Sequence, residues 1–172
     1  TDEKFKSLDF NYSDIIQLAW TEGLLPTELS ELEDVRNSGV VISQVGEIEN
    51  YNHTNDSEIF ETMLRGDTDW IALKTKYFLT AIIPEVRGIF GSYSYKNILF
   101  NNRELTPKYS MYLGFQIKKV LQLNNDIYFG PLDYNLLSQY EIGLENSLNL
   151  GWQFIRPFSK LVLKLLEFLH RF

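Results

Sequence analysis

Between Phe10 and Phe129 the apolar residues come in short runs, each ended by a turn signal, that either alternate with polar residues or are dense in β-branched and aromatic side chains. Runs of this length and period form strands and are too short for stable helices. The clearest pair is Trp70-Ile71-Ala72-Leu73 and Tyr77-Phe78-Leu79-Thr80-Ala81-Ile82-Ile83, the second closed by Pro84 and expected to be largely buried. Phe10 to Trp20 alternates at Phe10, Tyr12, Ile16, Leu18 and Trp20, with a break at Asp14 and Ile15. Val40 to Val45 is rich in β-branched residues, and Ile48 opens a further strand. Ile98 to Phe100, Tyr109 to Lys119 with its alternation at Met111, Leu113, Phe115 and Ile117, and Ile127 to Phe129 complete the set. Several short strands spaced by turns predict a mainly β, antiparallel sandwich.

The segments between the runs are polar. In Thr27 to Arg36, Ser30 and Glu33 stand at capping-box spacing, so a short helical turn and a solvated loop fit equally well. Residues 50–58, Asn-Tyr-Asn-His-Thr-Asn-Asp-Ser-Glu, are turn-forming and read as a surface loop. After Gly130-Pro131 the pattern changes to helical, with Asp133 placed to cap a helix through Gln139 that buries Leu136 and Leu137.

The final segment differs in charge and in period. Of the formal net charge of -7, residues 151–172 carry +3, which leaves -10 on the rest and marks Gly151 as a boundary. On a helical wheel Gln153, Arg156, Lys160, Lys164, Glu167 and Arg171 fall within about 80° of one another, and nearly everything else is apolar. A dozen large apolar side chains, each worth about 1.5–3 kcal/mol on full burial, need cover. One reading clamps this helix onto its own sheet, but a single sheet face is narrower than the apolar arc. The other lays it in the plane of a bilayer surface, with Trp152 at headgroup level, Leu165 on the immersed face, and Arg156, Lys160, Lys164 and Arg171 reaching phosphates. The expected organisation is therefore a β-sandwich over 1–130, a short helix and loop over 131–150, and an amphipathic interfacial helix over 151–172.

Composition removes most chemistry. At 172 residues one core suffices, and zero cysteines exclude disulfides, thiolate metal sites and thiol nucleophiles. Only His53 and His170 remain, one in a polar loop and one in the apolar tail, so no metal site and no hydrolase triad is expected. The acidic run Glu28, Glu31, Glu33 and Asp34 reads as a solvated surface, and Gly88-Ile89-Phe90-Gly91 lacks the lysine of a phosphate loop. No cofactor is implied, no catalytic residue is assigned, and the acidic balance repels nucleic acid. No stretch of about 20 residues is free of charge, and Thr1-Asp2-Glu3-Lys4 is not a signal peptide.

Three stretches resemble one family, the large periplasmic domain of the YidC-type membrane protein insertases of bacteria with two membranes. Asp69 to Pro84 is similar to that family's strand pair, Tyr128-Phe129-Gly130-Pro131-Leu132-Asp133 to its Gly-Pro turn entering a short helix, and Gly151-Trp152 with Ile155, Pro157 and the Leu-rich run to His170 to the segment leading into the second transmembrane helix. Order and spacing agree over residues 69–172, whereas the first 68 match only in general strand character. The resemblance implies a partial antiparallel β-supersandwich followed by C-terminal helices. It implies a place on the periplasmic side of the inner membrane, and no enzymatic activity. Its implied partners are the membrane surface, the Sec translocon with its accessory subunits, and nascent membrane proteins. A complete domain of that kind is longer than this chain, which implies an exposed edge strand and favours a homo-oligomer of the fragment. A different class, a carbohydrate-binding or mutarotase-like β-sandwich, shares the expected fold; its catalytic members would need a histidine with an acidic partner, for which only His53 is placed.

Overall fold

The structure is a computed structural model that describes residues 14–24, 37–52, 60–100, 104–116, 122–148, 161–162 and 165–166. The chain divides into one unit of Thr1–Asp133 and a second of Tyr134–Phe172. Among the described residues the first unit forms an eight-stranded sheet: β1 (Ile15–Trp20), β2 (Gly39–Gln44), β3 (Glu47–Tyr51), β4 (Phe60–Lys74), β5 (Phe78–Pro84), β6 (Gly88–Phe100), β7 (Glu104–Gln116) and β8 (Asn125–Pro131). The order is β1-β7-β6-β4-β2-β3, with β5 pairing both β4 and β8, and every pairing is antiparallel. The expected mainly β, antiparallel class is what the chain adopts.

Strand β4 turns this one sheet into a sandwich. Its first part pairs β6 from Phe60 to Thr68, whereas Ile71 to Lys74 pair β5. Between them the register slips at Arg65/Thr68, and Gly66 takes φ +139°, a backbone conformation that only glycine adopts without strain. A bulge frees backbone oxygens that must find other donors. Gln44, at the end of β2, and Thr68 supply them: Gln44 Nε2 donates to the Leu64 carbonyl at 3.0 Å and lies 3.4 Å from the Gly66 carbonyl, which accepts from the Thr68 hydroxyl at 3.0 Å.

Strand β2 and the second half of β4 are buried on both faces, as expected for continuous runs such as Val40-Val41-Ile42 and Trp70-Ile71-Ala72-Leu73. One face sends Val40, Ile42, Ile71, Leu73 and Ile82 against Tyr93, Tyr95, Tyr109, Met111, Leu113 and Phe115 of the β6–β7 hairpin, and this is the core between the two layers. Close approach is built in at Gly114, opposite Phe90, where a Cβ would stand inside the buried phenylalanine ring. The β2–β3 turn runs through Val45 and Gly46 at φ 52° and 83°. It is tied to β4 by Asp69, whose Oδ2 accepts from Gly46 N at 2.9 Å and Ser43 Oγ at 3.3 Å while Oδ1 pairs with Arg87 Nε at 2.6 Å.

Several elements are longer than their apolar runs suggest. β4 begins ten residues before Trp70, β6 begins at Gly88 rather than Ile98, and β7 begins at Glu104. Polar segments such as Glu61-Thr62 and Ser92-Tyr93-Ser94 are held as strands by their pairing partners. β3 continues to Tyr51, into the region expected to be loop, and residues 53–58 of that loop lie outside the described ones, as do 25–36. In the second unit α1 (Tyr134–Ser138) starts where Asp133 was expected to cap a helix, and it buries Leu137. Leu136 is exposed instead of buried, because a helix of little more than one turn has only one covered side. A 3-10 helix at Leu144–Ser147, entered from Gly143 at φ 78°, buries Leu144 and carries no sequence signal strong enough to have announced it.

Candidate functional site

The final segment is where the sequence places function, and four of its residues are described. Leu161, Val162, Leu165 and Leu166 are helical and 67%, 49%, 55% and 56% exposed. Residues spaced i, i+1, i+4 and i+5 share one side of a helix, so these four make an apolar stripe facing solvent. Leu165 is thus on an exposed apolar stripe. Trp152, Arg156, Lys160, Lys164 and Arg171 lie outside the described residues. Among the described residues no helix is long and apolar enough to cross a membrane.

Two cavities were given no role by the sequence. One of about 260 Å³ lies where β5 meets β8, lined by Ile83, Pro84, Glu85, Asn124, Asn125 and Asp126. Of its polar groups, Asn124 Nδ2 donates to Glu85 at 2.8 Å and Asn124 Oδ1 accepts from Gln122 at 3.0 Å, whereas the buried Asn125 Oδ1 has no hydrogen-bond partner among the described residues. The other, of about 170 Å³, is lined by Ile42, Gln44, Glu47, Glu49, Tyr51 and Leu64. Tyr51 donates its hydroxyl to Glu49, and its ring lies 5.0 Å from that of Tyr93. Burial first, then the Glu49 carboxylate, pushes the Tyr51 hydroxyl far above the ordinary tyrosine range, and burial raises Tyr93 as well. A phenol held protonated this firmly is no general base. The histidine that a mutarotase-like cleft needs is not among the lining residues, and His53 lies outside the described ones. Among the described residues no group of three or more His, Asp or Glu could hold a metal ion.

A further group in the sheet, Lys74, is displaced in the opposite direction, towards its uncharged form. Lys74 is buried at the end of β4, its Nζ donating to Asn50 Oδ1 at 2.7 Å, and burial lowers its pKa from 10.5 to about 8. Between those two values the unfolded chain binds a proton that the folded chain has released, so stability rises with pH across that window. The rise is expected to reach at most about 3 kcal/mol, and Lys74→Met should remove it while stabilising the chain at pH 7. Urea titrations of both proteins at pH 7.5 and 10 measure this, and parallel behaviour of the two would refute it. At the surface, hydrogen bonds from Lys96 and then Lys108 hold the Glu22 carboxyl below its usual range, at 2.8 and 3.4 Å, joining the end of β1 to the β6–β7 hairpin.

A family model for the YidC periplasmic domain matches residues 17–161. Among curated proteins, the membrane protein insertase YidC of Prosthecochloris aestuarii is 27% identical over 166 residues, covering 91% of this chain and 27% of that protein. Its counterpart in Chlorobium luteolum is 28% identical over 154 residues, covering 86% and 25%, and that of Chloroherpeton thalassium is 25% identical over 167 residues, covering 90% and 27%. The chain spans about a quarter of the length of these relatives. The matched region takes in all eight strands apart from the first two residues of β1, and the whole of α1 and the 3-10 helix, so the chain belongs to the YidC periplasmic domain family.

Proposed function

We propose that the chain is a non-catalytic domain of a membrane protein insertase, held at the periplasmic face of the bacterial inner membrane, where it supports insertion and folding of integral membrane proteins with or without the Sec translocon. The observation that carries this reading is the apolar stripe of Leu161, Val162, Leu165 and Leu166, turned to solvent in a chain whose family is defined by a membrane machine. With the basic stripe of Arg156, Lys160, Lys164 and Arg171, it suits a bilayer surface of anionic lipid: apolar side chains enter the acyl boundary, and the cations meet headgroups. Trp152 sits at the level of the headgroups in the same arrangement. The working partners are then the membrane surface, Sec components and nascent membrane proteins, and the domain contributes position rather than chemistry.

Flotation with vesicles containing anionic lipid tests the reading. The chain ending at residue 150 is expected to lose most of the binding shown by the full chain. Equal binding by the two would hand the apolar face back to a helix packed on protein.

A further inference from the structure

The two sides of the sandwich end differently. In an antiparallel pair, directly opposed residues point to the same face, so register shows which side chains of an edge strand look into the core. On β3 they are Glu47, Glu49 and Tyr51, opposite Gln44, Ile42 and Val40. Two carboxylates on the inner row of an edge strand are a barrier to further pairing, since another strand laid there would bury them. That side of the sheet is finished.

The other side has no such barrier. On β1 the inward residues are Ile16, Leu18 and Trp20, opposite Phe115, Leu113 and Met111 of the core. On β8 they are Ile127 and Phe129, opposite the core residue Ile82 and the buried Thr80. Trp20 and Phe129 stack across the gap between the two strands, with ring centroids 5.9 Å apart and planes at 18°. Yet Ile16 is 46% exposed, Ile127 62% and Phe129 63%. These are core-facing side chains of two edge strands that open onto solvent side by side. β1 has no charged residue, and β8 has only Asp126.

We propose that in the 172-residue chain this open edge is closed by the same edge of a second copy. Charge selects the arrangement. Copies of a chain with net charge -7 repel one another over most of their surface, and the β1–β8 edge is an apolar, nearly uncharged strip on it. The acidic inner row of β3 cannot serve as partner, because it would place Glu47 and Glu49 against Ile127 and Phe129. That disfavours pairing this edge with β3 of another copy and favours a closed two-fold pair. A two-fold axis perpendicular to the layers sets β1 antiparallel to β1 of the partner and β8 antiparallel to β8 of the partner. One operation then extends both layers and joins their apolar rows.

Sedimentation of the full chain over a wide concentration range, at 0.15 M salt and without lipid, tests this. A concentration-dependent dimer is expected, with the dissociation constant raised at least tenfold by Ile127→Lys or Phe129→Asp and unchanged by Leu165→Asp. Both edge side chains are mostly exposed, so these variants should keep the β spectrum of the parent; circular dichroism checks this. Because the chain has no cysteine, Asp126→Cys, Tyr128→Cys and Gly130→Cys provide a second readout. Oxidation should yield a disulfide-linked dimer from the member of this set nearest the axis, and none from Asn50→Cys on β3. A monomer at every concentration overturns the proposal and leaves the edge to strands from outside these residues. A dimer broken by Leu165→Asp but not by Phe129→Asp overturns it in favour of the terminal helix.

Discussion

Replacing Gly114 by valine is expected to destabilise the first unit by about 3 kcal/mol or more, since the added carbons occupy the space of the buried Phe90 ring. The two residues are direct partners across β6 and β7, so the ring cannot be displaced without disturbing the pairing that forms the largest hairpin of the sheet. Against a total stability of about 5–15 kcal/mol this is a large fraction. At about 2–4 °C per kcal/mol for a domain of this size, the melting temperature should fall by roughly 6–12 °C. Thermal melts followed by circular dichroism measure it. A melting temperature within a degree or two of the parent would mean that the ring is not seated on Gly114.

The other large effect concerns membrane binding. Each basic side chain near an anionic surface contributes about 1 kcal/mol, so losing both Lys160 and Lys164 should weaken vesicle binding by about 30-fold, and reversing them to glutamate by more. Leu165→Asp should be comparably damaging, because it puts a charge on the exposed apolar stripe, while leaving the melting temperature of the sandwich unchanged. Raising the salt to 1 M, where the Debye length is about 3 Å, should narrow the gap between the parent and the Lys160→Glu/Lys164→Glu variant and leave that of Leu165→Asp in place. Equal vesicle binding by all three proteins at low salt would refute the interfacial reading of the tail.

Much of this chain was legible without coordinates. Trp70 to Leu73 and Tyr77 to Ile83 were expected to be strands because their β-branched and aromatic side chains suit a pleated, buried surface, and apart from the exposed Tyr77, just before β5, they lie at the middle of the sheet. The resemblance carried by Asp69 to Pro84 and Tyr128 to Asp133 led to the same family as the match over residues 17–161. The tail was legible only in part: its amphipathic period follows from Arg156, Lys160, Lys164 and Arg171, whereas the structure adds the exposure of Leu161, Val162, Leu165 and Leu166. Lys74 could not have been found in the sequence, where it is one lysine at the end of an apolar run. Its displaced pKa comes from the burial that its fixed place at the end of β4 imposes.

What the sequence determined by itself is local: which short stretches favour a pleat, where turns interrupt them, that catalytic chemistry has few residues to draw on, and that the last segment is rich in large apolar residues with basic ones at helical spacing. What only the tertiary structure decided is who meets whom. The strand character of Glu61 to Arg65 comes from β6, some 30 residues further on, and the bulge at Gly66 is tolerable because Gln44 arrives from β2 beside the Leu64 and Gly66 carbonyls. The contrast between a β3 edge closed by Glu47 and Glu49 and a β1–β8 edge left open at Ile16, Ile127 and Phe129 is likewise invisible in the sequence. All of these runs alternate or carry apolar residues, but facing is fixed by register, and a slip of one residue would turn each row to the opposite face. Register is set by pairing between segments distant in sequence, and no local propensity encodes it.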